Sequence, residues 1–249
     1  MVDDPGTLPR HLRPDEEGYS LEARVRSYLD VNCSYCHRPG GGSGGVWDGR
    51  AHLPLSQTGL VNAPPAHPPL VPGDLLVEPG SVEHSLLYTR PAAARGYDRM
   101  PPLATDVVDL EGVQLLADWI ASEVRPHADY REWRIAHFGD DSSAAGEPGA
   151  DPDGDGATNE HEWLTHTAPN DPRDFWRTTL AVHPDHVELE YPGLGDRRVT
   201  AYHSPDLLHW LRVPDPSNDG VPRPTGEPQS LSTPRSGDAG FFRFEVEEN

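Results

Sequence analysis

Residues 21–42 read LEARVRSYLDVNCSYCHRPGGG. Leu21, Val25, Tyr28, Leu29 and Asn32 recur at the spacing of one helical face, and Ser20 stands where an N-cap belongs. The helix hands its end to Cys33-Ser34-Tyr35-Cys36-His37, and Pro39 with the following glycines prevents it from continuing. Two thiols one helical turn apart, with an imidazole directly after them, therefore sit where a helix gives way to a loop.

Downstream, residues 39–80 are punctuated by Gly and Pro and read as loop. Ser81 is positioned to cap a short helix carrying Leu86, Leu87 and Tyr88. Asp109 is positioned to cap a longer one with Val113, Leu116, Trp119, Ile120 and Val124 on its apolar face, which Pro126 stops. A further short helix carries Tyr130, Trp133, Ile135 and Phe138 and ends at Gly139, and another surrounds Trp163 and Leu164. From residue 175 the period changes to two, in HVELEY, RRVTAYHS and FFRFEVE, which predicts a small sandwich of five to seven strands. The expected organisation is a tail over 1–19, a mainly α domain over 20–125, a helical linker with an acidic loop over 126–174, and an all-β sandwich over 175–249.

Composition narrows the function classes. The 249 residues hold 41 acidic and 20 basic side chains, a net charge of −21, and every basic residue is Arg. A basic face for nucleic acid is absent, and an anionic membrane surface would repel the chain. The arginine-only usage fits a GC-rich genome and a salty habitat. No stretch reaches the ~18 apolar residues of a membrane span. With two cysteines in all, a disulfide framework is excluded. Residues 1–17 lack the apolar core of a signal peptide, so the chain is expected to be a processed piece or to have its export signal upstream.

The C-x-x-C-H motif points to covalent c-type haem: Cys33 and Cys36 add to the two vinyl groups, and His37 becomes the proximal iron ligand. A thioredoxin-like dithiol would want a βαβ context, and a structural zinc site would want four ligands. The sixth iron ligand is expected on a later loop. Met100, in Tyr97-Asp98-Arg99-Met100-Pro101-Pro102-Leu103, is the one methionine besides Met1, and prolines stiffen its loop. His52, His67 and His84 are the substitutes. Supporting roles fall to the carbonyl beside Pro39 as acceptor for the His37 ring, to Trp47 and Tyr97 as haem walls, and to Arg50, Arg90 and Arg99 as propionate partners.

On RSYLDVNCSYCHRPGG, QTGLVNAP, EPGSVEHSLLYTR, DRMPPL and VVDLEGVQLLADWI, residues 18–125 resemble the class I monohaem cytochrome c domain found at the C-terminus of large periplasmic proteins of planctomycete and verrucomicrobial type. Those proteins often carry a sugar-dehydrogenase-like propeller upstream. The resemblance covers about two fifths of the chain. It implies electron transfer with His37 and Met100 as axial ligands; no propeller is present here, so dehydrogenase activity does not carry over.

A second motif, Asp151-Pro-Asp153-Gly-Asp155-Gly156-Ala157-Thr-Asn159-Glu-His-Glu162, fits the twelve-residue calcium loop. Asp151, Asp153 and Asp155 hold positions 1, 3 and 5, Gly156 makes the turn, Ala157 offers a carbonyl, Asn159 stands at position 9, and Glu162 closes the site. GEPGA replaces the entering helix of an EF-hand, so the segment resembles the isolated loops of dockerins and thrombospondin-type repeats, in which the ion is structural. Asn170 or Asp171 is a candidate extra cap. The C-terminal strands resemble small fibronectin-type sandwiches and carry no identifiable chemistry.

The expected function is an electron-transfer module rather than an enzyme. It is expected to carry one covalent haem and a Ca2+, to sit in the periplasm or at the cell surface, and to meet a redox partner through that partner's basic surface, with an upstream dehydrogenase domain as a further candidate partner. A haem enzyme or sensor with an open sixth site, and a calcium-stabilised adhesion protein, are the alternatives.

Overall fold

The computed structural model describes residues 10–43, 46–93, 99–102, 107–235 and 240–249. The chain forms two compact units. One gathers the described residues of Met1–Glu17, Leu21–Leu53 and Gln57–Val124; the other gathers Gly18–Ser20, Pro54–Ser56 and Arg125–Asn249. None of the described helices is long and apolar enough to cross a membrane.

The first unit is built on α1 (Leu21–Asn32) and α3 (Leu110–Ser122), with the short α2 (Leu86–Thr89) between them in sequence. α1 buries Ala23, Val25 and Leu29, while α3 buries Val113, Leu115, Leu116, Trp119 and Ile120. The Asp109 carboxylate accepts the Gly112 N–H at 3.0 Å and caps α3 as expected. At Gly112 the Tyr28 side chain of α1 packs directly on α3: a Cβ there would lie 2.4 Å from the Tyr28 ring. Ser81 caps a single 3-10 turn without a side-chain bond, and α2 starts only after Ser85.

The second unit holds α4 (Tyr130–Phe138), closed by Gly139 in the left-handed region, and α5 (Asn159–Thr165), capped by the Thr158 side chain. Among the described residues six strands follow: β1 (Thr179–Val182), β2 (His186–Pro192), β3 (Arg197–Ser204), β4 (Leu211–Arg212), β5 (Pro228–Pro234) and β6 (Phe241–Glu248). They form two antiparallel three-stranded sheets, ordered β1-β2-β5 and β4-β3-β6. Register is held by pairs such as Leu189 opposite Leu231 and Ala201 opposite Phe244. The inner faces share one core of Val187, Leu189, Tyr191, Leu194, Val199, Ala201, Val213 and Leu231, with Trp176, Phe242, Phe244 and Val246 against it. Among the described residues β1 pairs only with β2, and its four residues are exposed.

The expected class, a mainly α haem domain with a calcium-loop linker and a small all-β sandwich, is overturned. Helix covers 24% of the chain and strand 18%, which makes the fold mixed. The cause lies in the 24 glycines and 28 prolines. Proline removes the donor a helix needs and glycine costs backbone entropy; the described part of residues 39–80, read as loop from the sequence, holds turns, bridges and a short 3-10 helix, and the few helices outside it are too short to make the chain mainly α.

Candidate haem cavity and acidic loop

The C-x-x-C-H segment folds as one tight turn at the end of α1. The Cys36 and His37 N–H groups both donate to the Cys33 carbonyl, at 3.1 and 2.8 Å. Gly41 is obligatory beside it, because a Cβ there would lie 2.1 Å from the Cys36 carbonyl oxygen. Cys33, Cys36 and His37 line a cavity of about 940 Å³, whose wall also contains Met100, Trp47 and His67. That volume stands at the large end of cofactor pockets, roughly 300–1,000 Å³. Apolar side chains of α1, α2 and α3 supply much of the lining: Leu29, Leu86, Leu87, Val113 and Leu116.

Electrostatics follow from burial. Neither cysteine is in a disulfide. Burial pushes the Cys33 thiol up to about 12, with Cys36 adding to the effect. A reactive thiol needs a lowered pKa, which Cys33 does not have. Burial, and then the Arg90 charge, hold His37 below the usual histidine range, which favours the neutral imidazole a metal requires. Its Nδ1 is buried without a hydrogen-bond partner; the expected bond to the carbonyl beside Pro39 is not formed. Trp47 instead stacks on the ring, with centroids 4.2 Å apart and planes 21° from parallel.

The other expected neighbours divide. Arg90 and Arg99 line the cavity, whereas Arg50 forks onto Asp48 at 2.7–3.1 Å. Of the substitute ligands, His67 reaches the cavity wall. His84 is held by the buried Asp74 carboxylate at 2.8 Å. Tyr97, Asp98 and Leu103 lie outside the described residues. Sequence spacing alone gave no reason to prefer His67 over His52 or His84.

The acidic loop is curled by its own backbone. The Asp151 carboxylate accepts the Gly154 and Gly156 N–H groups at 2.8 and 3.0 Å, and Asp155 accepts that of Ala157 at 2.7 Å. Gly154 and Gly156 take φ of 76° and 98°, which glycine adopts without strain. One carboxylate oxygen from each of Asp151, Asp153 and Asp155 lies within 4.8 Å of the others. Glu162, on α5, is 1% exposed, and neither of its carboxylate oxygens has a hydrogen-bond partner. Its burial, then the charges of Asp153, Asp155 and Asp151, raise it to about 7.

Asn159 departs from expectation in part. Its amide nitrogen is spent on the Ala145 and Glu147 carbonyls, at 2.7 and 2.8 Å, while its Oδ1 is buried without a partner. The extra cap does not form from Asp171, which forks onto Arg173, and Asn170 is exposed. Sequence reading missed Asp174, whose charge also raises Glu162 and whose carboxylate accepts the Ala168 N–H at 3.0 Å. Compared with known proteins, the chain matches no family model, no curated protein and no solved structure.

Proposed function

We propose that the first unit is a c-type cytochrome module that carries electrons through one covalently held haem. The observation that supports this most is the meeting of Cys33, Cys36, His37 and Met100 on the wall of one cofactor-sized cavity. The two thiols would tether the group, and the neutral His37 imidazole and the Met100 thioether would hold the iron from its two sides. When bound, the haem supplies a one-electron Fe(II)/Fe(III) couple, and a thioether ligand raises its potential. The chain's own part would be to supply two iron ligands, His37 and Met100, and to shield the group among Leu29, Leu86 and Leu116. Met100 at the cavity disfavours a haem enzyme or sensor with an open sixth site. Covalent haem attachment and the excess negative charge support an extracytoplasmic carrier whose partner presents a basic surface.

A second cofactor, structural Ca2+ in the 151–162 loop, is supported by a different observation. Glu162 is buried without a donor beside three aspartates, an arrangement a hard divalent cation neutralises.

The haem reading is tested by expressing the chain with a haem-attachment system and extracting with acid–acetone. Haem is expected to stay with the protein and to be released from the Cys33→Ala, Cys36→Ala variant; haem extracted from the unaltered protein overturns the reading. Met100→Ala is expected to lower the reduction potential and let His67 bind the iron in its place. A second change, His67→Ala, is then expected to leave a high-spin iron. A Met100→Ala protein with unchanged spectrum and potential removes Met100 from the ligand set.

A further inference from the structure

His37 lacks the hydrogen bond to Nδ1 that the sequence suggested and carries an aromatic plane on its face. The His37 ring has its Nδ1 buried and unpartnered, and the indole of Trp47 lies against its face at 4.2 Å. Trp47 is itself held in place. It is 7% exposed. The next residue, Asp48, donates its N–H to the Thr58 carbonyl at 2.8 Å, and Gly49 donates to the His37 carbonyl at 2.8 Å, so the segment is tied to the histidine it covers. Two glycines make room for it: a Cβ on Gly49 would come within 3.1 Å of the indole, and one on Gly59 within 3.2 Å of the Val46 carbonyl oxygen.

We propose that Trp47 is the positioning residue for the haem ligand His37, fixing the imidazole plane by stacking in place of a hydrogen bond to Nδ1. This rests on the haem reading given above. Two physical consequences follow. A ring gripped on its face could not turn about a bond to the iron without losing the stacking contact. A ligating histidine whose second nitrogen donates to no acceptor is also a weaker base than one that does, so it stabilises the ferric state less. Trp47 therefore keeps the potential high as well as the geometry fixed.

The test uses the holoprotein with Trp47→Leu and Trp47→Phe. Haem content is read by the pyridine haemochrome, potential by redox titration, and ring orientation by the ferric EPR anisotropy and the hyperfine-shifted His37 proton signals. Trp47→Leu is expected to keep its covalent haem while the potential falls, the EPR signal broadens and the His37 signals shift; Trp47→Phe, which retains an aromatic face, is expected to restore most of each. Holoprotein of the Leu variant with potential and His37 signals equal to those of the unaltered protein overturns the assignment of Trp47 alone. Unaltered protein that carries no covalent haem overturns the haem reading and this inference with it. If the Leu variant does not fold, Trp47→Ile takes its place, and a potential and His37 signals in it equal to those of the Phe variant count against stacking as the cause.

Discussion

Glu162 shows what one misplaced proton or ion can do at the scale of a residue. Its carboxyl is raised to about 7, above an ordinary value of 4.5, by burial and by the facing aspartates. A group raised on folding contributes its stability while it is protonated in both states, below about 4.5, and loses it as pH climbs through 7. Calcium-free protein is therefore expected to lose stability in the second unit over that window, and Glu162→Gln is expected to abolish the loss. With calcium the sign reverses, because the ion binds the ionised form. Affinity is expected to rise with pH up to about 7, and calcium at a hundredfold excess over Kd to stabilise by about 3 kcal/mol. Thermal melts at pH 5 and pH 8, with calcium and with chelator, check both signs; a chelator that moves neither melt removes the ion. The Gln variant is expected to bind at least tenfold more weakly, about 1.4 kcal/mol.

Among the elements, α3 combines a feature that sequence displays with one that it hides. Asp109 as cap and the apolar stripe through Trp119 are written in spacing and residue type, because both obey local rules. Gly112 is not: inside a helix it reads as a weak spot, and only packing reveals that its missing side chain admits the Tyr28 ring, whose hydroxyl donates to Asp109 at 3.1 Å. Gly112→Ala sets a helix-propensity gain of about 1 kcal/mol against overpacking at about 1–3 kcal/mol. With the ring tethered by Asp109, overpacking is expected to win, and denaturant melts should show the first unit destabilised by about 1 kcal/mol. β5 was equally hidden. Its sequence PQSLSTP has a proline at each end and a single apolar residue, Leu231, yet that residue is 1% exposed and pairs with Leu189 in the core. Ser81 misled in the other direction, since Ser85 sits at the start of α2 and its hydroxyl accepts the Glu78 N–H at 2.8 Å. Local pattern names a cap or a stripe; it does not say which of two serines the chain will bend around, nor that His67 will reach a cavity that His84 does not.

For the whole molecule, the 41 acidic side chains against 20 basic ones dominate the long-range field. At low ionic strength this charge keeps copies of the chain apart, and it fades as the Debye length shrinks from about 10 Å at 0.1 M salt to about 3 Å at 1 M. The outer edge of β1 is what that repulsion guards. Leu180 and Val182 are 48% and 60% exposed on a strand that, among the described residues, is paired along one side only, and such an edge is a template for further strand pairing. Self-association is accordingly expected to grow with salt, opposite to what would hold for a protein joined by ion pairs. Light scattering at 0.05 M and at about 1 M sodium chloride should show larger species only in the second, and Leu180→Arg should suppress them. Scattering that is flat with salt would mean that the strand edge is blunted by its own backbone twist. In concentrated brine, then, this surface would lose its protection against aggregation while its fold stayed intact, and colloidal stability rather than unfolding would set the limit of the chain's solubility.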